Sequence, residues 1–227
     1  MKTICAHRMI NGMSRELPAD VLSLILITDR NLCKRPLWET VKSALKGGVK
    51  SVQLREKGLA TRELYTLANE LRKMTADFGA GLFINDRVDI ALAADADGVH
   101  LGWQSLPVPV ARGLLGVKKL IGVSTHNRRE ALQAWKDGAD YITFGPVFHT
   151  PSKAGILDPV GVEALRGLKD EVHVPIAALG GINEGNVAAV LESGVEGIAV
   201  ISSILSADDA EKASRGLFDI ILKHRHS

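Results

Sequence analysis

Short, almost unbroken apolar runs recur along this chain, and most of them end in a cluster of polar residues. Gly48-Val49-Lys50-Ser51-Val52 leads into Gln53-Leu54-Arg55-Glu56-Lys57, and Gly81-Leu82-Phe83-Ile84 leads into Asn85-Asp86-Arg87. Leu120-Ile121-Gly122-Val123 leads into Ser124-Thr125-His126, Tyr141-Ile142-Thr143-Phe144 into the stretch from Gly145 to Lys153, and Pro175-Ile176-Ala177-Ala178-Leu179 into Gly180-Gly181. The first run, Leu22 to Thr28, is nearly all apolar, as a strand buried on both faces must be. With further runs beginning near Val49, Leu82, Gly98, Leu120, Tyr141, Val174 and Gly197, the sequence predicts about eight strands.

Helical patterns lie between the runs. Trp38, Val41 and Leu45 repeat at helical spacing within 38–46, and Leu64, Leu67, Ala68, Leu71 and Met74 form one stripe within 62–78. Thr61 is a candidate N-cap for the second of these. Asn127 is a candidate cap for a helix from Arg128 to Lys136 that Gly138 would end, and Asn183 and Gly194 bracket another. Between the third and fourth strands only Arg87 to Ala94 can form a helix, about two turns long. Repeated strand–helix alternation calls for a parallel sheet. The short, regular repeats and the lack of a GxGxxG fingerprint after the first strand favour closure over an open, doubly wound sheet. The expected fold is therefore α/β, a (β/α)8 TIM barrel in one domain over 21–227, with 1–20 as an N-terminal extension. Parallel strands deliver the polar clusters to one face, the C-terminal mouth where such barrels keep their chemistry.

The chain has 227 residues, enough for one such barrel without covalent staples. Its net charge of +2 demands neither a nucleic-acid nor a membrane partner, and no run of about 20 apolar residues predicts a span. Arg8, Asn11, Arg15 and Glu16 interrupt any signal-peptide core. Two cysteines, Cys5 and Cys33, are too few for a disulfide framework and match no metal motif, so a reducing, cytoplasmic location is expected. A homo-oligomer is compatible with all of this.

Several clusters suit an anionic substrate. Gly180-Gly181-Ile182 and, some twenty residues on, Ile201-Ser202-Ser203-Ile204 would follow strands seven and eight, where barrels often bind a phosphate. The plainer alternative is that the paired glycines only turn the chain. Strand alternation would direct Gln53, Arg55 and Lys57 to one side, joining two cations to an amide; alternatively this is a solvated strand end with Glu56 pairing one cation. The loop from Gly145 to Gly155 is long for its type and carries Thr150, Ser152 and Lys153 as hydroxyl and ammonium donors. Asn85 and Asp86 suggest Mg2+ held partly by substrate phosphates, though Asp86 could instead cap the short helix that follows. His126 is a candidate general acid or base, and His100 a packed residue with one satisfied nitrogen. Trp103 and Trp135 read as packing, with Trp103 also able to cap a ring at the mouth; His173, His224 and His226 read as surface residues.

In order and spacing these stretches resemble thiamine phosphate synthase, also called thiamine phosphate pyrophosphorylase, a family with thiazole tautomerase as a relative. The resemblance is carried by Ile27-Thr28-Asp29, Gln53-Leu54-Arg55-Glu56-Lys57, Ile84-Asn85-Asp86-Arg87-Val88-Asp89-Ile90-Ala91, Gly98-Val99-His100-Leu101-Gly102, Gly122-Val123-Ser124-Thr125-His126, Asp140-Tyr141 with Gly145-Pro146-Val147-Phe148, Thr150 with Ser152-Lys153, and Leu179-Gly180-Gly181-Ile182, and it spans about residues 22–223. It implies a (β/α)8 barrel that joins a hydroxymethylpyrimidine diphosphate to a thiazole phosphate and releases pyrophosphate. It further implies Arg55, Lys57 and Lys153 on the diphosphate, assisted by Gln53, Asn85, Ser124, Thr150 and Ser152. Asp86 would be a Mg2+ ligand, and Gly181 with the Ser202-Ser203 turn would hold the thiazole phosphate.

The chain departs from that pattern at two places. Synthases usually carry an acid a few residues after the His-Leu-Gly stretch, as a second metal ligand; here Ser105 stands there, and Trp103 replaces a glutamine. The missing acid leaves open a thiazole tautomerase, which needs no metal and would move a proton with His126, or a non-catalytic binder of thiamine intermediates. The intact set of Gln53, Arg55, Lys57, Asp86 and Lys153 favours the synthase.

Overall fold

The computed structural model describes residues 9–10, 13–14, 20–150 and 157–226. Eight strands form a closed, all-parallel barrel: β1 (Leu24–Ile27), β2 (Ser51–Leu54), β3 (Gly81–Asn85), β4 (Gly98–Leu101), β5 (Leu120–Thr125), β6 (Tyr141–Phe144), β7 (Ile176–Leu179) and β8 (Gly197–Val200). Each pairs with its neighbours in sequence, and β8 closes onto β1 with Ala199 opposite Ile25. Every predicted strand is present; β1 is shorter than its run at both ends, β6 matches its run, and β3 and β5 continue into the polar residues that follow theirs. Upstream, Met9–Ile10 and Met13–Ser14 form a small antiparallel pair. The rest of the 1–20 extension, apart from Asp20, lies outside the described residues.

Alternation sorts each strand into two faces. Leu24, Leu26, Val52, Leu54, Leu82, Ile84, Val99 and Leu101 face the helices and form the main core. Ile25, Ile27, Phe83, Tyr141, Ala177 and Ala199 fill the barrel interior, plugged from below by Val21 and Leu22. Because both faces are covered, the strands read as continuous apolar runs rather than as an alternating pattern. Each fully buried Leu or Ile contributes about 1.5–3 kcal/mol, so the two cores together hold the barrel. The inward positions nearest the C-terminal ends break the apolar rule: Gln53, Asn85, His100, Ser124 and Thr143 form a polar layer just beneath the mouth.

The helices confirm the pattern and correct its edges. Helices α1 (Leu37–Lys46), α2 (Thr61–Asp77), α3 (Val88–Ala93), α4 (Val108–Leu115) and α5 (Arg128–Asp137) precede α6 (Gly161–Lys169), α7 (Val187–Leu191), α8 (Ser202–Leu205) and α9 (Ala210–His226). Asn127 caps α5 by accepting the Glu130 N–H at 3.0 Å, and Gly138 ends it in the left-handed region, as expected. Thr61 is not the cap of α2: it is the first helical residue, Ala60 holds the cap position, and the Glu63 carboxylate reaches back to the Ala60 N–H at 3.1 Å. The helix bracketed by Asn183 and Gly194 is shorter than its brackets, because Asn183 heads a turn before Val187.

Candidate active site

At the end of β2 the Gln53 side chain is almost fully buried and donates through Nε2 to Asn85 Oδ1 at 2.9 Å. Asn85 passes the contact on, donating through Nδ2 to Asp86 Oδ2 at 2.6 Å. Asp86 itself sits in the left-handed region at φ 62°, a conformation that aspartate tolerates better than most residues. Its N–H is held by the His100 carbonyl at 2.9 Å, and its Oδ1 accepts the Gly102 N–H at 3.2 Å and the Ser105 hydroxyl. It does not cap α3, whose cap position is Arg87. Asp86 is exposed, so this carboxylate stands at the mouth with one amide, one backbone N–H and one hydroxyl around it. Among the described residues no group of three or more His, Cys, Asp or Glu side chains is placed to hold a metal ion.

The cations follow directly. Strand β2 stops at Leu54, so strict alternation no longer governs residues 55–57. Thr28, fully buried at the end of β1, takes over: its Oγ1 accepts the Arg55 N–H at 2.9 Å, and its own N–H bonds the Gln53 carbonyl at 2.9 Å. Glu56 turns inward, with a side chain only 2% exposed, and both its oxygens accept the Arg30 N–H at 3.2 Å. The Arg30 guanidinium lies 3.8 Å away. Glu56 therefore pairs with Arg30 and not with Arg55 or Lys57, contrary to the solvated-strand-end alternative. Among the described residues no carboxylate pairs with Arg55, which is half-buried, or with Lys57, which is exposed. The Ile27-Thr28-Asp29 motif thus acts on the neighbouring strand, a role that no local pattern signals.

Across the barrel, β4, β5 and β6 contribute a buried polar cluster. His100 Nδ1 lies 3.1 Å from the Tyr141 hydroxyl and Nε2 lies 3.0 Å from Ser124 Oγ, so both nitrogens are engaged rather than one. Thr143 Oγ1 is 3.3 Å from the same Nε2. Burial pushes the His100 pKa down to about 4 against a weaker opposing pull from Asp86, and it pushes the Tyr141 phenol above its ordinary range. Phe83 supports Tyr141 edge-on, with ring centroids 5.4 Å apart. The sequence places Tyr141 in a stretch shared with the family but assigns neither it nor Thr143 a role; a tyrosine at an inward strand position is the available signal, since a buried phenol needs a partner.

On the far side, Gly180 and Gly181 both have positive φ, 103° and 67°. A Cβ on Gly180 would lie 2.6 Å from Pro146 and one on Gly181 would lie 2.7 Å from the His149 carbonyl, so the pair is needed for the turn itself. The β6–α6 loop packs there, the Phe148 N–H bonding the Gly180 carbonyl at 3.1 Å. The Gly181 carbonyl accepts from the Asn186 amide at 3.0 Å, and the Ser203 hydroxyl donates to the Ile182 carbonyl. Ser202 is exposed at the start of α8, and Thr150 is half-buried. Ser152 and Lys153 lie outside the described residues. His126 closes β5 with its Nδ1 3.0 Å from Glu130 Oε2, and its N–H bonds the same oxygen at 2.8 Å. Trp103 does not pack as expected: it is 83% exposed, two residues before Ser105. Trp135 does pack, edge-on to the exposed His173 at 4.8 Å.

Comparison with known proteins agrees with this geometry. The family model described as thiamine monophosphate synthase matches residues 24–204. The thiamine-phosphate synthase of Syntrophomonas wolfei subsp. wolfei is 50% identical over 199 residues, covering 87% of this chain and 95% of that protein. The thiamine-phosphate synthase of Clostridium novyi is 47% identical over 198 residues, covering 87% of this chain and 97% of that one. The solved structure of thiamine phosphate pyrophosphorylase from Pyrococcus furiosus superposes with a TM-score of 0.84 at 42% identity, covering 91% of this chain and 98% of that chain. Barrel order, motif positions and these relatives agree: the chain belongs to the thiamine monophosphate synthase family.

Proposed function

We propose that this barrel is a transferase that couples hydroxymethylpyrimidine diphosphate with thiazole phosphate, giving thiamine phosphate and pyrophosphate. The observation that carries the reading is the division of charge after β2, the strand next to the one that ends in the Asn85–Asp86 pair: Glu56 is neutralised by Arg30, leaving Arg55 and Lys57 without a carboxylate partner among the described residues. Cations left without a protein partner suit a diphosphate.

In this reading Arg55, Lys57 and Lys153 bind the diphosphate, and Gln53, Asn85, Ser124, Thr150 and Ser152 add hydrogen bonds. The Gly181 turn with Ser202 and Ser203 anchors the thiazole phosphate. Asp86 offers one carboxylate, with the Ser105 hydroxyl on its Oδ1, and this fits Mg2+, an ion that takes one or two carboxylates and fills its shell with water and substrate phosphates. Asp86, with Ser105 as a neutral neighbour, would hold it. Bound there, Mg2+ would add positive charge to the leaving diphosphate. The cationic side chains stabilise the negative charge that builds on the diphosphate as the C–O bond breaks, and the pyrimidine methylene carbon becomes electron-poor. The thiazole nitrogen, oriented by its distant phosphate, forms the new C–N bond, and no protein nucleophile is needed. The tautomerase reading is not needed, since the matching family model and the relatives are thiamine-phosphate synthases.

The test is direct. Purified protein is mixed with both substrates and Mg2+, and thiamine phosphate is followed by fluorescence after oxidation. Product that depends on all three components is expected; no product at any Mg2+ concentration overturns the reading.

A further inference from the structure

Strands β4, β5 and β6 bring three hydrogen-bonding side chains into one buried line: Tyr141, His100 and Ser124. The line exists because β5 gives up a side chain. Gly122 stands opposite His100 on one side and Tyr141 on the other. A Cβ there would lie 2.2 Å from Tyr141 Cζ and 2.5 Å from His100 Nδ1. Glycine inside a strand commonly marks such a close approach, and here it lets two rings touch across an intervening strand.

We infer that Tyr141 and His100 are positioning residues that fix Ser124 as a hydrogen-bond donor toward the mouth, where it meets the leaving diphosphate. The last clause rests on the function proposed above; the rest stands on the geometry. A phenol has one proton, and among the described residues the hydrogen-bond partner of the Tyr141 hydroxyl is His100 Nδ1. The ring is fully buried with hydroxyls rather than carboxylates against both nitrogens, the setting of a neutral imidazole with a single N–H. Were that proton on Nδ1, the phenol proton would be buried with no acceptor, a penalty that disfavours this tautomer by roughly tenfold or more. The proton therefore sits on Nε2, which donates to Ser124 Oγ at 3.0 Å and more weakly to Thr143 Oγ1 at 3.3 Å. The Thr143 hydroxyl approaches Ser124 Oγ at 3.5 Å, again from the donor side. Ser124, half-buried, thus has its oxygen facing donors and its own O–H turned outward. The opposite tautomer would take the Ser124 proton and leave lone pairs facing the ligand, which repel a phosphate oxygen.

Two measurements test this. In protein labelled with 15N at histidine, without substrates and at neutral pH, the His100 signal (identified by its loss in His100→Gln) should show Nε2 protonated and Nδ1 bare. A proton on Nδ1 overturns the inference. In steady-state coupling, Tyr141→Phe should lower kcat roughly tenfold with the KM for thiazole phosphate within about twofold. In a Ser124→Ala background the same substitution should cost nothing further, because its effect passes through Ser124. An equal cost in both backgrounds shows a merely structural role and overturns the inference. Should Tyr141→Phe fail to fold, or the wild-type protein fail to couple, the tautomer measurement still decides the relay, and only the second failure touches the proposed function.

Discussion

The Ser105 hydroxyl lies on the Asp86 carboxylate, sharing Oδ1 with the Gly102 N–H. Position 105 therefore faces the group proposed to hold Mg2+. Ser105→Asp should place a second carboxylate there. Without metal the two charges repel and the melting temperature falls; with Mg2+ the loss is reversed. The Mg2+ concentration for half-maximal coupling should drop roughly tenfold, the effect of about 1.4 kcal/mol of added attraction. Rate and melting temperature, each titrated with Mg2+, check this. An unchanged metal requirement separates residue 105 from the diphosphate.

Neighbouring residues after β2 should respond in opposite ways. Arg55 and Lys57 have no carboxylate partner among the described residues, so alanine at either should leave the unfolding free energy within about 0.5 kcal/mol. Both variants should lose coupling activity, with a higher KM for the diphosphate that depends less steeply on salt than in the wild type. Glu56→Ala removes the acceptor of the Arg30 N–H and should cost about 1–2 kcal/mol. Urea unfolding beside steady-state kinetics separates the two classes. A large stability loss in Arg55→Ala would contradict the idea that its charge is kept for ligand.

How far the sequence carries depends on how local the deciding contact is. Strands such as Leu82–Ile84 are legible because burial on both faces makes them apolar throughout. Asn127 and Gly138 are legible because a cap acts within four residues. The polar ends of the strands mark the mouth, since topology alone gathers them. Partners set by register are not legible. Thr28 holds Arg55 from 27 residues away, Glu56 holds Arg30 from 26, and His100 meets Tyr141 at a separation of 41. No local pattern records such pairs, and Glu56 looks from its neighbours like the partner of Arg55 or Lys57. Thr61 misleads for a related reason: the Glu63 side chain supplies the cap contact, so the cap position itself needs no polar residue.

Gly122→Ala tests how little space the buried line leaves. The added methyl would overlap both rings, and overpacking of this kind costs about 1–3 kcal/mol. The strained rings can relieve the clash only by separating, so the substitution should also reduce coupling in the folded fraction. Alanine at Gly113, where a Cβ meets nothing within 4 Å, is the control and should leave stability unchanged or slightly higher, since it lies within α4. Comparable stability losses at both positions would remove the steric explanation.

His100 should also give the fold an acid-sensitive window. Its pKa is about 4 in the folded protein against an ordinary 6.5 in the unfolded chain, because burial outweighs the attraction of Asp86. Between those values the unfolded chain binds a proton that the folded protein refuses. Stability is therefore complete above about pH 6.5 and declines as pH falls toward 4. Across that window the loss amounts to something on the order of 3 kcal/mol, because each pH unit between the two values contributes about 1.4 kcal/mol. Carboxylates whose pKa is lowered, such as Asp89 beside Arg87 and Glu130 beside His126, lose their contributions further down the scale. His100→Gln keeps a polar side chain without a titrating ring. Urea unfolding of both metal-free proteins at steps from pH 7 to 4 should give a steeper decline for the wild type, with the difference confined to that window. Parallel declines would mean that another group takes up the proton, and that the imidazole is less sheltered than its place between Tyr141 and Ser124 implies.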